Sequence, residues 1–203
     1  MKKAFTLLEL VAVIMVVALL SIALLPRFSD NRVREAADQI LSHIRYTQHL
    51  ALIDDRFNPN DPEWWHKRWL IGFWQCTDGG WYYVVGRDLD NGGGIGNDEA
   101  AINPFDKKRL FTSNACVLDE NQSGEILITE KYGINDIEFS DECGDNSYIA
   151  FDNTGRPYKS TLGTEEYDLI TDKCEIVFKL ADANFTVTIE PETGYTRLTE
   201  IKY

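Results

Sequence analysis

One carboxylate near the start of an otherwise apolar run constrains this chain more than any other feature. The chain opens MKKAFTLLELVAVIMVVALLSIALL, and from Phe5 to Leu25 only Thr6, Glu9 and Ser21 interrupt the apolar residues. As a helix that run is roughly 31 Å long at about 1.5 Å per residue, which matches a hydrocarbon core of about 30 Å. Lys2 and Lys3 stand before it, so the sequence predicts a cytoplasmic N-terminus and everything after Leu25 outside. An ionised carboxylate inside lipid costs about 2.5–3.5 kcal/mol on insertion scales, so Glu9 needs a partner. A secretory signal cut after Ser21-Ile22-Ala23 and a plain anchor both leave Glu9 unexplained. The run also exceeds the ~7–15 apolar residues typical of a signal.

KKAFTLLELV resembles the cleavage and methylation motif of type IV prepilins and pseudopilins. In that motif a small residue precedes the cut, a Phe becomes the new N-terminus and a Glu follows four residues on; here these are Ala4, Phe5 and Glu9. Ala4 stands where the family usually has Gly, and Pro26 matches the family's helix proline. The resemblance implies cleavage after Ala4 by a prepilin peptidase and N-methylation of Phe5. It also implies that a neighbouring subunit's Phe5 ammonium neutralises Glu9 inside an apolar helix bundle. A buried charge is strongly destabilising alone and tolerable when paired, so Phe5 and Glu9 are assembly residues with no catalytic role.

The length of 203 residues allows an anchor and one domain of roughly 150 residues. A formal net charge of −13 repels phosphate backbones, so nucleic acid is a disfavoured partner. The four cysteines, Cys76, Cys116, Cys143 and Cys174, form no CxxC pair, which argues against zinc and thioredoxin-like chemistry. All lie beyond the anchor, in a compartment that oxidises thiols. Two disulfides are expected. Three connectivities are open; Cys76–Cys116 with Cys143–Cys174 needs no crossing loops and is the expected one.

After Pro26 a helical pattern resumes. Val33, Ala37, Ile40, Ile44 and Ala51 recur at helical steps while Arg34, Asp38 and Arg45 fall off the stripe. Ser29 or Asp30 can cap its start, and the helix is expected to bend at Pro26 and end near 53–55. Residues 57–64 form a loop with two prolines. Trp64, Trp65, Trp69, Phe73, Trp74, Trp81, Tyr82 and Tyr83 then crowd one stretch, as a core with Tyr and Trp tips at its rim rather than a partner surface. Strands are expected over 68–76 and 80–86, joined by a turn at 77–79, and then over 125–129, 136–140, 148–151, 175–180, 185–190 and 196–201.

This layout resembles the H-type minor pseudopilins of type II secretion and the related FimT-like minor pilins. The matching pieces are REAADQ (34–39), ILSHIRYTQHLAL (40–52), FDNTGRP (151–157) and VTIEPETGYTRL (187–198). The fold so implied is α+β: a type IV pilin-like fold whose long N-terminal helix, half transmembrane and half amphipathic, packs on antiparallel β-sheets. The expected division is a cleaved leader (1–4), a transmembrane assembly segment (5–25), its amphipathic continuation (26–55) and a periplasmic β-rich head (56–203). The implied role is a minor pseudopilin of a type II secretion system, or a minor type IV pilin of a pilus or DNA-uptake system. A membrane-tethered periplasmic binding module is a further alternative. Implied partners are other pilin-like subunits, the prepilin peptidase, an inner-membrane assembly platform and an exported protein. The implied placement is single-pass in the inner membrane.

Residues 88–99 come close to a twelve-residue calcium loop. Asp88 and Asp90 take positions one and three, Gly93 the turn, Gly94 a backbone carbonyl position and Glu99 the closing carboxylate, with Asp98 beside it. Gly92 stands where the template wants a side-chain oxygen. Calcium takes 6–8 oxygens in flexible geometry, and carboxylates so close repel one another without a cation. No enzyme motif appears: there is no GxSxG, HExxH or Walker loop. His43, His49 and His66 are expected as surface or rim histidines.

Overall fold

The computed structural model describes residues 7–54, 58–60, 64, 67–90, 92–144, 147–159 and 168–203, with the backbone alone for 22–30. Ala4 and Phe5, the cleavage and methylation positions, lie outside the described residues, as do Trp65, His66 and Asn91.

Helix α1 (Leu7–Ile53) is continuous across Pro26. From Val33 onward it buries Val33, Ala36, Ala37, Ile40, Ile44 and Ala51, the stripe that the three- and four-residue spacing sets. Small Ala36 and Ala37 let the helix approach the sheets closely. Among the described residues nine strands follow: β1 (Trp69–Gln75), β2 (Trp81–Gly86), β3 (Asp136–Phe139), β4 (Tyr148–Phe151), β5 (Pro157–Lys159), β6 (Asp168–Leu169), β7 (Cys174–Lys179), β8 (Asn184–Ile189) and β9 (Thr196–Lys202). They make a five-stranded sheet in the order β2-β1-β4-β5-β6 and a four-stranded sheet in the order β3-β7-β8-β9. Every pairing between these nine strands is antiparallel. A short helix, α2 (Ile128–Tyr132), closes against β2.

The expected fold is corrected in its N-terminal half. Among the described residues no helix is long and apolar enough to cross a membrane. The expectations of a transmembrane half-helix, of a pilin-like fold built around one, and of single-pass placement in the inner membrane are overturned by that finding. The body itself is mostly antiparallel sheet.

β1 is buried on both faces, which is why it reads as a nearly continuous apolar run. Ile71 and Phe73 point to the main core under α1, and Leu70 joins Ala150 and Tyr158 in a smaller cluster on the other side. A Cβ on Gly72 would sit 2.1 Å from the Trp74 ring, so any larger residue there has to displace that ring. The two sheets meet through aromatic rings. Phe73 lies edge-on to Phe178 at 5.3 Å, and Phe178 stacks on Phe185 at 4.9 Å. Most of the crowded aromatics are thus core or rim, as expected: Phe73 and Tyr83 are fully buried, while Trp69, Trp74 and Trp81 are half-buried.

Two sequence readings of local structure change. Residues 125–129 form no strand; they are a 3-10 turn (Gly124–Ile126) running into α2. The Ser123 hydroxyl accepts from Glu125 N and opens the turn, and Gly133 ends α2 at φ 79°. β5 and β6 are added beside β4. The disulfides are Cys76–Cys116 and Cys143–Cys174, each joining cysteines that are neighbours along the chain, as expected.

Candidate functional site

Three features selected by sequence can be placed. The first is the acidic loop. The carboxylates of Asp88, Asp90 and Glu99 converge, with one oxygen from each within 4.8 Å of the others. Asp98 is elsewhere: it pairs with Arg109 at 3.3 Å. The converging oxygens are largely taken up by backbone. Gly92 N donates to Asp88 Oδ1 (3.0 Å) and Asp90 Oδ1 (2.9 Å), and Gly93 N donates to Asp88 Oδ2 (2.9 Å). Leu89 N and Gly96 N donate to the two Glu99 oxygens at 2.6 and 2.7 Å. Asp88 is buried, and burial holds its carboxyl above the usual range, with Asp90 and Glu99 pushing the same way; the Gly93 and Gly92 amides oppose this. Three of the predicted ligand residues are therefore the ones able to hold a hard cation. Gly92, at the weak position of the template, contributes a donor rather than an oxygen.

The second feature is the FDNTGRP segment, whose job is structural. Asp152 accepts from Thr154 N (2.9 Å), Thr154 Oγ1 (2.7 Å), Arg156 N (3.0 Å), Arg156 Nε (2.8 Å) and Tyr158 OH (3.1 Å). Burial alone would raise its pKa, but the Thr154 and Arg156 hydrogen bonds outweigh it and hold the carboxyl low. Gln48 on α1 then donates to Gly155 O and Thr193 O, both at 2.8 Å, which ties the helix to this turn and to the β8–β9 turn. Gly194 sits where the turns touch: its φ is +63°, and a Cβ there would be 2.3 Å from Gly155 O.

The third is the N-terminal run. Leu7, Leu8, Leu19 and Leu20 are 60–81% exposed. Glu9, also exposed, lies in the first turn of α1, where a negative charge suits the helix dipole.

Sequence reasoning missed a buried polar footing beneath α1. His43 is 7% exposed, not a rim residue, and its Nδ1 stands 2.5 Å from the Tyr83 hydroxyl. Gln39, one turn earlier, donates to that hydroxyl (3.0 Å) and to Glu125 O (2.8 Å), and it accepts from Tyr132. The signal was present, because His43 falls on the apolar stripe between Ile40 and Ile44. His49, off the stripe, is exposed as expected.

Burial lowers the His43 pKa from 6.5; Glu125, Asn103 and Asp106 pull it up, and Lys131 adds to the lowering. The neutral ring is therefore favoured in the folded state. The unfolded chain takes up a proton near pH 6.5 that the folded chain resists, so stability is full above that pH and falls as pH drops through it. Urea unfolding of the wild type is expected to weaken between about pH 7.5 and 5.5, above the ordinary carboxylate range. His43→Gln should be flatter across that window. An unchanged slope in the variant would refute the assignment.

No family model, curated protein or solved structure matches the chain.

Proposed function

We propose that this chain is a structural subunit of a pilin-like assembly, a minor pseudopilin of a type II secretion system, with no catalytic task. One observation carries the reading. The first third of α1 presents apolar side chains outward, while the same helix from Val33 to Ala51 is fixed on the sheets. A helix that is apolar all round belongs inside a bundle, and exposed apolar surface of that extent marks an interaction site. The head anchors the helix, and the projecting part is free to be covered by equivalent helices of neighbouring subunits.

Glu9 acquires its role in that setting. Packing takes its carboxylate out of water, where it is tolerated only beside a cation. The amine of a neighbouring Phe5, exposed by a prepilin peptidase, is the matching group, and an exported protein is the proposed contact of the head. Two disulfides support a compartment outside the reducing cytosol.

Glu9→Leu is expected to leave the head folded, with an unchanged circular dichroism spectrum. Incorporation into filaments should fall more than about tenfold, because breaking a buried pair costs about 3–5 kcal/mol. Mass spectrometry of the native protein should find a methylated Phe5 at its start. Normal incorporation of the variant, or an intact Met1, refutes the reading.

A further inference from the structure

We propose that the head carries a knob and a hole that fit each other in two copies of this chain, so that heads join head to tail. The knob is Phe105, 89% exposed. It sits on a firmly pinned turn. Asn103, 1% exposed, accepts from Phe105 N through its side chain and from Lys107 N through its carbonyl, both at 3.0 Å. Asn103 N donates to Lys108 O at 2.7 Å, and Asn103 Nδ2 reaches the buried Ser123 hydroxyl at 3.1 Å. That hydroxyl donates to Asp106 Oδ2 at 2.6 Å. A single exposed apolar side chain is ordinary on a protein surface. Here the backbone that carries the ring is ordered in advance, so docking has only the side chain left to order.

The hole is a cavity of about 530 Å³ around the Cys76–Cys116 disulfide, floored by Trp81 and Leu127. Trp81 is fixed by its own N–H to Thr129 Oγ1 (2.7 Å) and by its indole N–H to Asn135 O (3.2 Å). Val117, next to Cys116, is 76% exposed.

Charge selects the occupant. Exposed Lys107 and Lys108 flank the knob, and exposed Asp78 and Glu130 border the hole. Among the described residues none of these four makes an ion pair. A second copy therefore supplies what each side lacks: an acidic rim for the lysines and an apolar ring for the cavity.

Position excludes self-occupation. Ala101 N donates to Val85 O at 2.8 Å, so the knob's loop leaves from the Gly86 end of β2, whereas Trp81 begins the other end. The ends are roughly 17 Å apart at ~3.3 Å per residue. A contact between unlike patches repeats from copy to copy instead of closing into a pair. It is small, so heads already held side by side would use it best. It does not depend on Glu9.

The test couples carboxylates to lysines with a zero-length carbodiimide reagent, on full-length chain in detergent, mixing ¹⁵N-labelled and unlabelled copies. Mixed-isotope peptides should join Lys107 or Lys108 to Asp78 or Glu130, in Glu9→Leu as in the wild type. Phe105→Ser, a change at an exposed site, should cut their yield about tenfold, the effect of ~1.4 kcal/mol. Lys107→Glu/Lys108→Glu and Asp78→Lys/Glu130→Lys should each abolish the coupling alone and restore it when mixed. Same-isotope products only, or a yield indifferent to Phe105→Ser, overturns the proposal. So does a Phe105 that secretion needs while mixed products are absent; its partner would then be another protein.

Discussion

Phe73→Ala is expected to cost about 3–5 kcal/mol, the range for emptying a buried aromatic site. Phe73 is fully buried on β1, facing Tyr83 at 5.9 Å, Phe139 at 6.2 Å and Phe178 at 5.3 Å. It therefore belongs to neither sheet alone. Removing its ring opens a void between α1, the five-stranded sheet and the four-stranded sheet, and none of the three can collapse inward without moving the others. A domain of this size has only about 5–15 kcal/mol in hand. Urea titration should show the midpoint falling by roughly a fifth or more, with the slope unchanged. Phe73→Leu, which keeps much of the volume, should cost far less. Phe105→Ala is the contrast, because an exposed ring should change stability by no more than about 0.5 kcal/mol. A loss below about 1 kcal/mol for Phe73→Ala would mean that the rings do not join the sheets.

Sequence was a good guide where a period of two or of 3.6 residues had a core to point at. The stripe from Val33 to Ala51 and the hairpin across residues 77–79 are found where the spacing puts them. It failed where short-range hydrogen bonding decided. Residues 125–129 are apolar enough for a strand, yet Ser123 at one end and Gly133 at the other turn them into helix. Pairing with β4 makes a strand of Pro157–Lys159, and nothing in those residues alone announces it. In the acidic loop the spacing brought Asp88, Asp90 and Glu99 together, but it could not reveal that Arg109 takes Asp98 or that backbone amides engage the other carboxylates. His43 was misjudged by residue type, because its position on the stripe outweighs its polarity once Tyr83 supplies a partner.

Loop entropy alone puts the cost of replacing both Cys143 and Cys174 by alanine at about 3.7 kcal/mol, and the measured loss separates two explanations of what a disulfide does here. The bridge spans a sequence separation of 31, the Cys76–Cys116 bridge one of 40. If loop entropy in the unfolded chain is the whole effect, the two double variants should be nearly equal, with the longer loop worth about 0.2 kcal/mol more. Burial argues for the opposite order. Cys143 and Cys174 are 1% and 0% exposed, Cys174 opening β7, whereas in the other pair Cys76 is buried but Cys116 is half-exposed at the rim of the Trp81 cavity. Losing the first pair therefore also removes packed sulfur from the core, at roughly 1 kcal/mol for each methyl-sized void. Urea midpoints for the two double variants decide it. A larger loss at Cys143–Cys174 shows that the bridge holds the second sheet by packing as well as by tethering. Equal losses assign the stabilisation to the unfolded chain alone.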